Sequence, residues 1–202
     1  MTSAVLSGPI DVPSAYADPC PSVEVVFARG TAEPPGVGVV GKAFIDSLGS
    51  QIFGRSLATY PVNYPATLDF AVSARNGSDD TSAHVQDMIG RCPNTRMVLG
   101  GYSQGAGVID LATTVMPPQA ADHVAAVALF GNPTSALMSL LSGTNIPPIG
   151  PPYSSKTIDL CAPGDPACED GANVNISAIF AHGSYVQSGM TSQAATFVAG
   201  RL

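Results

Sequence analysis

Residues 97–112 read MVLGGYSQGAGVIDLA, and this stretch restricts the fold more than any other. Met97, Val98 and Leu99 read as the end of a buried strand, while Val108, Ile109, Leu111 and Ala112 read as the apolar face of a helix. Between them Ser103 sits at the centre of G-x-S-x-G, with Gly101, Gly105, Ala106 and Gly107 around it. A glycine inside a helix lowers its propensity by about 1 kcal/mol relative to alanine, so an ordinary turn has no use for so many small residues. A sharp strand-to-helix elbow does, because it strains the serine backbone, exposes the hydroxyl and brings two backbones into close approach.

The same alternation runs through the rest of the chain. VEVVFA (23–28), LATYPV (57–62), the run 96–100, AAVALFG (125–131) and KTIDL (156–160) read as five short strands. Residues 38–52 carry Val40, Phe44, Leu48 and Ile52 at i+4 spacing and read as a helix. A second helix is expected over 78–92, opened by Ser and Asp as N-cap residues, with Val85, Met88 and Ile89 on one face. A third follows Ser103, and a last one spans roughly 184–200. Strands separated by helices predict a parallel sheet with helices on both faces. The pattern fails over 135–153, where Leu, Met and Ile sit among four prolines, and this segment reads as a long connection.

A chain of 202 residues with a net charge of −7 excludes the basic face that nucleic acid binding needs. No apolar run approaches the ~18 residues of a membrane span. Ala15-Tyr16-Ala17 is an A-x-A pattern of the kind that precedes signal-peptidase cleavage, although the residues before Ala17 hold no Lys or Arg. Residues 1–17 are therefore read as a leader and 18–202 as a single domain, exported to the cell envelope or beyond and monomeric. Four cysteines agree with export. Cys161 and Cys168 close a short Pro/Gly-rich loop, CAPGDPAC; Cys20 and Cys92 precede two strands at similar offsets and meet if those strands are neighbours. A zinc site is not expected, since C-x-x-C and histidines at ligand spacing are both missing.

A serine hydroxyl needs a base to become a nucleophile. His84 falls inside a helix and His123 just before a strand; only His182, in FAHGSY, read as a loop just before the last helix, lies far enough beyond Ser103 to leave room for an acid in the order Ser, acid, His. Among Asp110, Asp122, Asp159, Asp165, Glu169 and Asp170, Asp165 lies in the loop after a strand and inside the Cys161–Cys168 loop, at the sheet edge where α/β sites form. Oxyanion donors are expected from the backbone N–H of Gln104 and from Thr31, in the FARGTAE loop after the first strand.

ARGT after the first strand, GGYSQG around the serine, CAPGDPAC around the acid and a late histidine together resemble the cutinase family of secreted serine esterases, over about residues 20–202. The mycobacterial cutinase-like branch is the nearer likeness. The resemblance implies a three-layer α/β-hydrolase fold with a five-stranded parallel sheet and no lid domain. It also implies Ser103 as nucleophile, Asp165 as acid, His182 as base, an oxyanion hole at Thr31 and Gln104, and no cofactor. Thr31 stands where fungal cutinases carry serine, and the expanded apolar segment 135–153 weakens the expectation of cutin as substrate. The expected function is hydrolysis of short- to medium-chain esters or lipids through an acyl-enzyme. Residues 135–153 with Val186 and Met190 are expected to form an apolar rim that touches lipid. The alternatives are a phospholipase or acyltransferase using the same residues, and a non-catalytic surface protein on this scaffold.

Overall fold

A computed structural model of the protein describes residues 20–143, 145–172 and 175–202. The expected leader over 1–17 lies outside them. In chain order the elements are β1 (Val23–Ala28), α1 (Gly38–Gly49), β2 (Leu57–Pro61), α2 (Phe70–Arg91), β3 (Arg96–Tyr102) and α3 (Gln104–Val115). A 3-10 turn over Pro118–His123 leads to β4 (Val124–Phe130), α4 (Ala136–Ser142), α5 (Pro151–Ser154), β5 (Thr157–Leu160), α6 (Ile176–His182) and α7 (Met190–Ala199).

The strands form one parallel sheet in the order β2-β1-β3-β4-β5. Alternation along β1 divides the core. Val23, Val25 and Phe27 pack with residues of α1 and α7, whereas Val26 and Ala28 pack with residues of α2 and α3 on the other face. All six residues of β1 are buried, which is why the run VEVVFA is almost wholly apolar. The chain winds outward from β1 to β2 and then crosses back to β3, so the winding reverses between β1 and β3. In open α/β sheets the carboxyl ends of the strands at such a reversal are where ligand sites form. Register places Phe27 beside Gly100 and Ala28 beside Gly101, so the segment after β1 and the turn holding Ser103 leave the sheet side by side.

Three expectations need correction. Helix α2 begins at Phe70, eight residues before the expected start, and Asp69 is its cap, accepting from the Val72 N–H at 3.4 Å. Ser73, Gly77, Ser78 and Thr81 are buried inside α2, and a Cβ on Gly77 would come within 2.9 Å of Val108 on α3. Small polar residues permit that close helix contact, but in sequence they look like a loop and a cap. Residues 135–153 hold two short helices, α4 and α5, and α4 buries none of its residues, so it has no apolar period to detect. The expected final helix over 184–200 is instead α7, preceded by α6 and by Gly189 with φ 77°. His182 is accordingly the last residue of α6 and not part of a loop. Both expected disulfides are formed: Cys20–Cys92 ties the start of β1 to the end of α2, and Cys161–Cys168 closes the loop after β5.

Candidate active site

Ser103 adopts φ 54° and ψ −124° at the junction of β3 and α3. Such a conformation costs a non-glycine residue on the order of 1–3 kcal/mol and needs outside support. Its own N–H supplies some by donating to the Phe130 carbonyl at 2.8 Å. The flanking glycines are required by space: a Cβ on Gly101 would lie 2.2 Å from the Gly105 carbonyl oxygen, and one on Gly105 would lie 2.0 Å from that of Ala28.

The structure brings Ser103, His182 and Asp165 together. His182 Nε2 lies 2.8 Å from Ser103 Oγ, and Nδ1 lies 2.9 Å from both Asp165 carboxylate oxygens. Asp165 is fully buried. Burial alone would raise its pKa, but hydrogen bonds from His182 and Tyr185, the nearby imidazole and the Ala167 N–H outweigh this and hold the carboxyl below its ordinary range. An ionised Asp165 only accepts, so the imidazole proton sits on Nδ1 and Nε2 is left to accept from the Ser103 hydroxyl. The loop holding Asp165 is braced by the disulfide, by Ala167 N–H to Asp165 Oδ1 at 2.8 Å, and by Tyr185 Oη–H to Oδ2 at 2.5 Å.

Gln104 follows Ser103 directly, and Thr31 lies three residues past the end of β1, the strand paired with β3. The Thr31 hydroxyl oxygen is buried and has no hydrogen-bond partner among the described residues. Gln104 is the first residue of α3, so its N–H has no acceptor within the helix. Its buried side chain is occupied elsewhere, accepting from Ser73 Oγ at 3.0 Å and donating to the Thr67 carbonyl at 2.8 Å. That pairing anchors the turn holding Ser103 to α2 and to the loop before it.

Sequence reasoning missed the residues that shape the Thr31 loop. Glu33 receives the N–H groups of Gly30 at 2.6 Å and Val39 at 2.9 Å. The buried Arg29 guanidinium donates to the carbonyls of Glu33 and Tyr64, both at 2.8 Å, and the Tyr64 hydroxyl donates back to the Arg29 carbonyl. Ala32 N–H reaches the Ala66 carbonyl at 2.8 Å. A charged pair within the ARGTAE run of an otherwise charge-poor chain was the available signal. Tyr185, three residues past His182, was also within reach of inspection.

The remaining candidates go elsewhere. His84 pairs with Glu24 at 2.9 Å and stacks on Tyr60, on the α2 face of β1. Asp110 and Asp159 both accept from the Asn132 side-chain amide. Glu169 accepts from the Gly164 N–H, and Asp170 from the Ala136 N–H. Among the described residues no group of three or more His, Cys, Asp or Glu is placed to hold a metal, and no helix is long and apolar enough to cross a membrane.

A cleft of about 170 Å³ opens beside Ser103, lined by Met138, Pro166, Ala167, Ala178, Ile179 and His182. Around it α4 and α6 expose Leu140, Leu141, Ile176, Ile179 and Phe180. Val186 and Met190 do not belong to this rim. Both are partly buried and pack against the core on the α1 and α7 side.

This geometry coincides with a family. A family model described as Cutinase matches residues 19–202. The chain belongs to the cutinase family. Among similar proteins, Carboxylesterase Culp1 of Mycobacterium tuberculosis is 62% identical over 202 residues, covering 100% of this chain and 91% of that one. Phospholipase Culp4 of the same organism is 50% identical over 91% of this chain and 80% of its own. The Trichoderma reesei cutinase, solved with a phosphonate inhibitor, superposes with a TM-score of 0.72 at 32% identity, covering 91% of this chain and 77% of its own. An acetylxylan esterase shares the fold with a TM-score of 0.74 at 23% identity, over 90% of this chain and 99% of its own.

Proposed function

We propose that this cutinase-family serine esterase hydrolyses short- to medium-chain acyl esters through an acyl-enzyme on Ser103. His182 Nε2 takes the Ser103 proton as Oγ attacks the ester carbonyl, and Asp165 stabilises the imidazolium that forms. The oxyanion is received by the Gln104 N–H and by Thr31. The imidazolium then protonates the departing alcohol, and water attacks the acyl-enzyme along the same path to release the acid. The observation that carries this reading is the unbroken relay of 2.8 and 2.9 Å from Ser103 Oγ through His182 to a buried Asp165. The kinship with a protein named carboxylesterase supports it.

Replacing Ser103 with Ala is expected to lower kcat on a butyrate ester by roughly 10⁶-fold, as for removal of a subtilisin triad member. Undiminished hydrolysis in that variant sinks the mechanism. Failure of an active-site phosphonate to label Ser103 would instead favour a non-catalytic surface role.

A second reading, action on phospholipid, is favoured by the apolar rim of α4 and α6 and by the relative named phospholipase. The rim is suited to resting on a lipid surface with the cleft facing down. Release rates on a triglyceride, a phospholipid and a p-nitrophenyl ester separate the readings. Both place the protein outside the cytoplasm, as two structural disulfides and the Ala15-Tyr16-Ala17 pattern suggest.

A further inference from the structure

One row of aromatic rings runs from the centre of the sheet to the catalytic groups. Phe27, Phe44 and Phe130 lie within 6.4 Å of one another, centroid to centroid. Phe130 meets Tyr185 edge-on at 6.0 Å, Tyr185 meets Tyr102 edge-on at 5.8 Å, and Tyr102 stacks on the His182 ring at 5.1 Å. The three rings away from the site are phenylalanines, and the two that reach it carry hydroxyls. Packing alone has no use for those oxygens, since a buried hydroxyl stabilises nothing unless it is bonded. Both are bonded to the triad. Tyr185 Oη–H donates to Asp165 Oδ2 at 2.5 Å while Oη accepts the Ala162 N–H at 3.1 Å. Tyr102 Oη–H donates to the His182 carbonyl at 2.7 Å.

We propose that Tyr185 and Tyr102 are positioning residues with separate tasks: Tyr185 fixes the Asp165 carboxylate as the acceptor for His182, and Tyr102 fixes the His182 ring against Ser103. Tyr102 is bonded in sequence to Ser103, so one residue sets both the nucleophile and the backbone of its base. Burial and then the bond to Asp165 raise the Tyr185 hydroxyl far above its ordinary range, and burial does the same for Tyr102, so both are permanent donors. The titratable groups facing Asp165 are His182 from α6, Tyr185 from the segment before α7, and Tyr102 from the end of β3; Glu33 acts on Tyr102 from the Thr31 loop. Removing the Tyr185 hydroxyl leaves Asp165 with one donor fewer and a greater affinity for a proton. Removing that of Tyr102 changes no charge.

The test uses the Tyr185→Phe and Tyr102→Phe enzymes, with kcat and KM on a soluble ester measured across pH and Tm recorded. Losing one hydrogen bond to a charged group is expected to lower kcat of Tyr185→Phe by about tenfold or more with KM nearly unchanged. The acidic limb of its kcat/KM profile should move to higher pH. Tyr102→Phe should lose kcat with the limb in place. Tyr185→Phe with a full kcat, with an unmoved limb, or unable to fold overturns the assignment, as does a Tyr102→Phe enzyme with full kcat. The inference rests on Ser103 as nucleophile, so wild-type turnover and its loss in Ser103→Ala are read in the same assay. If Ser103→Ala retains turnover, the proposed mechanism has failed and not the roles of the tyrosines within it.

Discussion

Replacing Thr31 with Val separates the oxyanion role proposed for its hydroxyl from the stability of the loop that holds it. Valine keeps the branched shape and removes one hydroxyl. That hydroxyl is buried and has no partner among the described residues, so the resting enzyme loses no bond with it. A buried unsatisfied polar group costs about 1–3 kcal/mol, so its removal should leave the fold as stable or raise it by about 1 kcal/mol. In a domain of this size that corresponds to a rise in Tm of about 2–4 °C. Catalysis should move the other way. Deleting one oxyanion donor raises the barrier by about 2.7–4 kcal/mol, a factor of 10²–10³ in kcat. The Gln104 and Thr31 backbone N–H groups remain, which favours the lower end, about 10²-fold. Initial rates on a soluble p-nitrophenyl ester with thermal melts decide the matter, and Thr31→Ser, which keeps the donor, serves as control. A Thr31→Val enzyme within threefold of wild-type kcat, or one that falls equally with Thr31→Ser, refutes the role given to this hydroxyl.

Other expectations follow from neighbouring features. Replacing Cys161 and Cys168 with Ser opens a loop of sequence separation 7 and should lower stability by about 2–3 kcal/mol, and kcat should fall because Asp165 lies inside it; unchanged kcat would mean that Ala167 and Tyr185 suffice to hold the acid. Asp110 is fully buried, with its carboxyl pushed up to about 7 by burial, so the native state keeps a proton that the unfolded chain releases near pH 3.8. Its contribution to stability is complete below pH 3.8 and lost as pH rises through 7. The Asp110→Asn protein should therefore gain on wild type between pH 4 and 7 and no further above, and a pH-independent difference in melts would contradict this. Replacing Leu141 and Phe180 together with Asp should reduce turnover of an emulsified triglyceride at least tenfold, since each apolar side chain is worth about 1.5–3 kcal/mol when buried. Turnover of a soluble butyrate ester should persist in that variant, and equal loss on both substrates would show that the rim serves the cleft and not a surface.

The sequence by itself determined the layers, the strand count and the chemistry. Buried parallel strands write continuous apolar runs, and an elbow writes glycines around its serine, because both constraints act between residues adjacent in the chain. Asp165, the proposed acid, was singled out for the same reason: the disulfide whose loop holds it joins residues only 7 apart. Helix α2 was misplaced at its start because close packing against Val108 demands small residues that resemble a loop. Helix α4 went unseen because a helix with no buried face carries no period. Only the tertiary structure decided that Val186 and Met190 are partly buried against the core while Ile179 and Phe180 stand exposed, since that depends on how α6 and α7 are set against the sheet. It also decided that Arg29 and Glu33 shape the Thr31 loop, and that Tyr102 and Tyr185 reach His182 and Asp165. The Arg29 bond to the Tyr64 carbonyl and the Tyr102 bond to the His182 carbonyl join residues 35 and 80 apart, which meet only once the strands have paired and the segments after them are set in place.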